Sequence, residues 1–157
     1  MARGEAHRPH TSARRHRRRR AGVFRRGASI LEMALTLAIL LNLTFGTVEF
    51  GYFFFVKNTV QGAAREGARV AITPTASNTD VSSVVNSALQ AAGLKPADFT
   101  TTVKVAGTVA NCNTAVAGQA VEVSVQATWG SVGLRPLGLI GSTKAVLGVA
   151  SMRKEGS

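Results

Sequence analysis

Two carboxylates interrupt the most apolar part of this chain. From Ile30 to Val56 the sequence reads ILEMALTLAILLNLTFGTVEFGYFFFV, and its charged residues are Glu32 and Glu49. A carboxylate in low-dielectric surroundings is costly unless a cation or hydrogen-bond donors meet it, so each of the two asks for a partner. They are 17 residues apart, roughly 25 Å along a helix at about 1.5 Å per residue. Both can therefore sit close to an interface. Glu49 is expected at the distal interface, with contact to another subunit as the alternative.

Other chemistry is sparse. His7, His10 and His16 all lie in the first 27 residues. Cys112 is the single cysteine, so neither an intrachain disulfide nor a cysteine metal cluster can form. It can be a buried small hydrophobe, a free thiol or an intermolecular bridge, and its neighbours Asn111 and Asn113 weaken the first reading. Asp80, Asp98, Glu122 and Glu155 have no recognisable catalytic spacing, and no Gly-rich phosphate loop precedes a Lys-Ser or Lys-Thr pair. No catalytic residue, cofactor, metal or small-molecule substrate is expected.

The run that holds the two carboxylates is itself an element. Met33 to Val48 carries no charge, and a helix needs about 20 residues to cross the hydrocarbon core. The run exceeds the apolar core of a secretory signal, and no A-x-A site follows directly after it. A retained membrane helix over 28–56 is predicted. Of the formal net charge of +11, ten arginines and one glutamate place +9 in residues 1–27, leaving +2 for the rest. Arg14 to Arg20 with Arg25 and Arg26 thus predict a cytoplasmic N-terminus and an extracytoplasmic body. The same arginines could touch phosphates of nucleic acid. The nearly neutral body argues instead for orientation and contact with anionic membrane lipid, with no specific nucleic-acid partner. Phe50, Tyr52, Phe53, Phe54 and Phe55 fit an aromatic band at the outer interface, or plain hydrophobic mass.

Beyond the membrane the helical spacing continues. Val60, Ala63, Ala64, Gly67, Ala68 and Ala71 form one small-residue stripe, while Lys57, Gln61, Arg65, Glu66 and Arg69 fall on other faces. One helix from about Ser29 to Val70 is predicted, with 57–72 as its extension, ending before Thr73-Pro74. Val81, Val84, Val85, Ala88, Leu89 and Ala92 repeat the spacing in a second helix, capped by Thr79 or Asp80 and closed by Gly93. Two runs then alternate with period two: Phe99 to Val105 and Val121 to Trp129. Lys144 to Met152 is a third, less regular strand. Segments 106–120 and 130–143 read as loops. The predicted fold class is α+β and pilin-like: a long N-terminal transmembrane helix continuing into a small domain, 73–157, with a second helix and an antiparallel sheet of three or more strands.

Gly27 closes the basic leader, 1–27, and Glu32 stands five residues later. That spacing resembles the processing site of type IV prepilins and pseudopilins, cut after the glycine so that Ala28 becomes the new N-terminus. An uncleaved anchor with an interfacial carboxylate fits the hexapeptide equally. Val48-Glu49-Phe50-Gly51, then Ala63-Ala64-Arg65-Glu66-Gly67-Ala68-Arg69 and the tail Ala150 to Glu155 extend the likeness. Over about residues 25–155 the chain resembles the TadE-like family of tight-adherence (Flp) pilus-assembly proteins. The resemblance implies a non-enzymatic pseudopilin or minor pilin. Its implied partners are a prepilin peptidase, other pilins or pseudopilins, and the assembly platform. Glu32 would be the carboxylate that meets the N-terminal amine of a neighbouring subunit; Glu49, Arg65, Glu66 and Arg69 are candidate interfacial or partner contacts. Met33 departs from the tyrosine that major pilins favour after that glutamate. The competing reading is a signal-anchored extracytoplasmic structural or adhesive module without a pilus.

Overall fold

The computed structural model describes residues 21–156, with side chains from Gly27 onward. The arginine run 14–20 and the three histidines of the leader lie outside the described residues. The chain divides after Leu41 into two compact units, Met1–Leu41 and Asn42–Ser157.

Helix α1 spans Ala21–Ala71. It starts before the expected Ser29 and ends one residue past Val70. From Gly27 to Phe45 every side chain is exposed. From Gly46 onward one stripe is buried: Gly46, Glu49, Val56, Val60, Ala63, Ala64, Gly67, Ala68 and Ala71, with Phe53 partly covered. The steps of three and four residues keep that stripe on one face of a helix.

Helix α2, Asn78–Ala91, starts one turn earlier than its apolar spacing alone suggests. Ser77, rather than Thr79 or Asp80, is the N-cap. Its Oγ accepts from Asp80 N, while the Asp80 carboxylate accepts from Ser77 N at 2.9 Å and from Ser77 Oγ at 2.7 Å. Asp80 is the reciprocal member of a capping box. The Ser77 backbone bond first, then the Ser77 hydroxyl, hold its carboxyl below the usual range. Gly93 closes the helix as expected, donating to Gln90 O while Leu94 N donates to Leu89 O. Leu89 and Leu94 are both buried, the apolar pair that accompanies this kind of helix end.

The sheet has the order β2-β1-β3-β4 and is antiparallel throughout. Its strands are β1 Thr100–Val105, β2 Thr108–Val109, β3 Ala120–Thr128 and β4 Ala145–Arg153. On β3, Val121, Val123, Val125 and Ala127 face the helices while Glu122, Ser124, Gln126 and Thr128 face outward. β4 alternates just as strictly, with Val146, Gly148 and Ala150 inward, so it is more regular than its sequence suggests. Segment 106–120 holds β2 and a 3₁₀ turn at Cys112–Thr114. The β1–β2 connection is Ala106-Gly107, with φ of 50° and 86°, the positive-φ pair that a two-residue hairpin turn requires.

Two glycines let these layers touch. A Cβ on Gly67 would lie 2.8 Å from Val85 Cγ2 and 3.2 Å from Val123 Cγ1, so α1, α2 and β3 meet there. A Cβ on Gly148 would lie 2.6 Å from the Val60 carbonyl oxygen, so β4 rests directly on the α1 backbone. A side chain at either site forces the layers apart. Gly67→Val is expected to lower stability by about 1–3 kcal/mol, measured by denaturant unfolding of the detergent-solubilised chain. An unchanged midpoint would show that the crossing relaxes at no cost.

Candidate functional site

The buried stripe of α1 carries one charged residue, Glu49, with 0% exposure. It is satisfied from the far end of the chain. Leu137 N donates to Oε2 at 3.2 Å and Ile140 N donates to Oε1 at 2.8 Å. Both carboxylate oxygens are thus occupied by backbone amides of one loop, which suits a charge withdrawn from water far better than isolation would.

That loop is a closed excursion between β3 and β4. Trp129 N donates to Lys144 O at 2.7 Å and Gly130 N to Ser142 O at 2.8 Å, so strand-like bonds form its neck. Trp129 was expected as the last inward residue of β3. It keeps that inward direction, fully buried, but opens a short helix α3, Trp129–Val132. Its ring packs on Phe53, centroids 5.1 Å apart and edge to face, and on Tyr52 at 6.0 Å. Part of the aromatic cluster read as an interfacial band is therefore core; Phe50, Phe54 and Phe55 remain exposed. Leu139 lies against Gly46, where an added Cβ would meet its side chain at 3.4 Å.

Further along α1, Gln61 and β4 exchange two bonds. Gln61 Nε2 donates to Val149 O at 2.7 Å, and Val149 N donates to Gln61 Oε1 at 3.3 Å. The side-chain amide stands where a neighbouring strand would pair, protecting the sheet edge. At the end of α1, Lys154 is buried and its Nζ donates to Thr73 O at 2.6 Å and Ala71 O at 3.2 Å. A cation there satisfies carbonyls the helix leaves open and complements its dipole.

The other residues singled out from sequence lie elsewhere. Gly27, Ala28 and Glu32 are exposed on α1. Arg65, Glu66 and Arg69 are exposed on the face of α1 opposite the stripe, where Arg69 and Glu66 form a 3.0 Å surface pair. Such pairs contribute little to stability. The structure therefore brings Glu49 together with residues 137 and 140, and not with Arg65, Glu66 or Arg69. Lys154 and the 137–140 loop were missed. The usable signal was the stripe itself: stepping back from Val60 by four and three residues reaches Val56, Phe53, Glu49 and Gly46 in turn.

Cys112 is fully buried, its Sγ 3.3 Å from Ala76 O and its N–H donating to Asn78 Oδ1 at 2.9 Å. Burial pushes its thiol up. No group of three or more His, Cys, Asp or Glu able to hold a metal occurs among the described residues.

These features define an α+β protein whose sheet lies on its own long apolar helix. The family model described as TadE-like protein matches residues 27–69, and over that span the chain is similar to it. The match covers most of α1 and stops short of α2 and the sheet. No curated protein and no solved structure matches the chain.

Glu49→Ala is expected to leave two amides without acceptors and to cost about 2–4 kcal/mol. Hydrogen exchange should speed up at Leu137 and Ile140 before it does in β3, and Glu49→Gln should fall between. Unchanged protection at both amides would contradict the pairing. For Cys112 the raised pKa and burial leave little reactive thiolate at neutral pH. Maleimide labelling should be slow in the native chain and complete on unfolding; rapid native labelling would place the thiol at the surface.

Proposed function

We propose that the chain is a non-enzymatic pseudopilin or minor pilin that supports assembly of a tight-adherence pilus or a related secretion machine. The observation that carries this reading is the TadE-like match over residues 27–69, which spans Gly27, Ala28, Glu32, Glu49 and the AAREGAR segment on one helix. The match supports involvement in Tad pilus assembly and interaction with other pilus components. The single apolar helix supports single-pass membrane anchoring.

In this reading the basic leader holds the N-terminus on the cytoplasmic side, and the sheet domain lies outside. A prepilin peptidase cuts after Gly27 and frees an α-amine at Ala28. Glu32 lies four residues on, about one helical turn away and on the same face. Its carboxylate meets the amine of a neighbouring subunit, which offsets the cost of keeping it among apolar groups. Ile30, Leu31, Met33, Leu35 and Leu37 are 50–73% exposed; they supply apolar surface to lipid first and to neighbouring helices after assembly.

The second reading is an uncleaved anchor for a structural or adhesive module. Intact mass and N-terminal sequencing of the protein from its native membranes separate the two. A chain beginning at Ala28 is expected. An intact leader in cells with an active prepilin peptidase would favour the anchor. Glu32→Leu should leave membrane insertion unchanged and reduce recovery with pilus components; undiminished recovery would remove Glu32 from assembly.

A further inference from the structure

The loop that Glu49 holds is apolar where it faces outward. Leu134, Leu137 and Leu139 are 53%, 37% and 57% exposed, and from Gly133 to Thr143 the one charged residue is Arg135, also exposed. On the neighbouring turns of α1, Val48, Phe50, Phe54 and Phe55 are 45–55% exposed. Leu139 also shares a shallow groove with Asn42, Leu43, Gly46, Thr47, Phe50 and Gly51. The apolar surface of the helix and that of the loop are therefore continuous.

The position of this surface along α1 decides what covers it. Ser29 to Val48 is about twenty residues, the length that crosses a hydrocarbon core, and Glu49 follows directly. Leu139 packs on Gly46, three residues back, or about 4.5 Å deeper along the helix. Irregular backbone is tolerated near that depth only when its polar groups are satisfied. Glu49 supplies acceptors for Leu137 N and Ile140 N at this place. Arg135 stands beside the leucines, with a long stem and a cationic head suited to a lipid phosphate.

We propose that the Gly133–Gly141 loop is a second membrane contact: Leu134, Leu137 and Leu139 enter the outer leaflet beside α1, and Arg135 reaches its headgroup phosphates. Glu49 is then a positioning residue that sets the depth of the loop. The proposal rests on the membrane anchoring of α1.

The full chain, in a Cys112→Ala background, is reconstituted in vesicles of phosphatidylcholine and phosphatidylglycerol at three to one. Spin labels are placed at Leu134→Cys, Leu139→Cys, Leu40→Cys and, on the outer face of the sheet, Gln126→Cys. Labels at 134 and 139 are expected to have an oxygen-to-nickel-chelate accessibility ratio clearly above that at Gln126 and below that at the deeper Leu40, as for a segment held at the leaflet interface. Labels at 134 and 139 as open to the aqueous chelate as Gln126, with Leu40 shielded, overturn the loop contact and leave the anchor standing. A water-exposed Leu40 overturns both. Broadening between labels at 139 that persists on dilution with lipid overturns the lipid contact in favour of a second copy of the chain.

Discussion

The sheet of this protein packs on the same helix whose N-terminal part is suited to lipid, and that shared use constrains everything else. Up to Phe45 the described side chains of α1 are uniformly exposed; from Gly46 one stripe is closed off. The stripe is built largely from Val, Ala and Gly, so the helix itself contributes little bulk to the core. The bulk comes from the opposite side: Val81, Val85 and Leu89 on α2, Val121, Val123 and Val125 on β3, and Trp129. Large groups on one side fitted against small ones on the other give close contact without voids. Gly67 and Gly148 are the points where contact is tightest, and the AAREGAR segment is therefore legible as packing as well as resemblance.

Three polar side chains at this junction pair with backbone far away in sequence, while the Trp129 Nε1–H is buried without a hydrogen-bond partner. Glu49 takes amides 88 and 91 residues on, Gln61 pairs with a strand residue 88 residues on, and Lys154 reaches back 81 and 83 residues to the end of α1. These bonds lie at the near, middle and far parts of the buried stripe. They tie the C-terminal third of the chain to the helix at three heights. Cutting back Glu49 or Lys154 would leave a buried or half-buried backbone group without a partner, which costs more than the bond contributes, whereas the Gln61 pair is exposed. Docking of the sheet therefore specifies its register on the helix, and it depends on the last strand and the tail being in place.

Much of this was readable from spacing. The long helix, the second helix and the faces of β1 and β3 follow from periods of 3.6 and two, because burial on one side leaves that signature. Features made by local hydrogen bonds were harder to read. Ser77 caps α2 although Asp80 looks equally suited, because the two residues act reciprocally. β2 escaped notice because it is exposed on both residues and its turn is Ala-Gly, which lacks the Asn-Gly or Asp-Gly signal. The strand alternation carried Trp129 to the right side of the sheet and hid that the strand had already ended. What sequence could not supply was the partner of Glu49. Backbone amides have no side-chain signature, and the loop that offers them reads as Gly, Pro and Leu.

The two carboxylates of the apolar run thus part company. Glu49 lies on the inward stripe, and its oxygens are taken by Leu137 and Ile140 of its own chain. Its apparent oddity in the sequence is an internal fastening, and engaging a partner through it would mean breaking that fastening and orphaning two amides. Glu32 lies in the stretch where α1 is exposed all round, fourteen residues before the stripe begins. If subunits pair through a carboxylate in the apolar helix, the residue in position to do so is Glu32. The geometry removes Glu49 from the surface and leaves Glu32 on it.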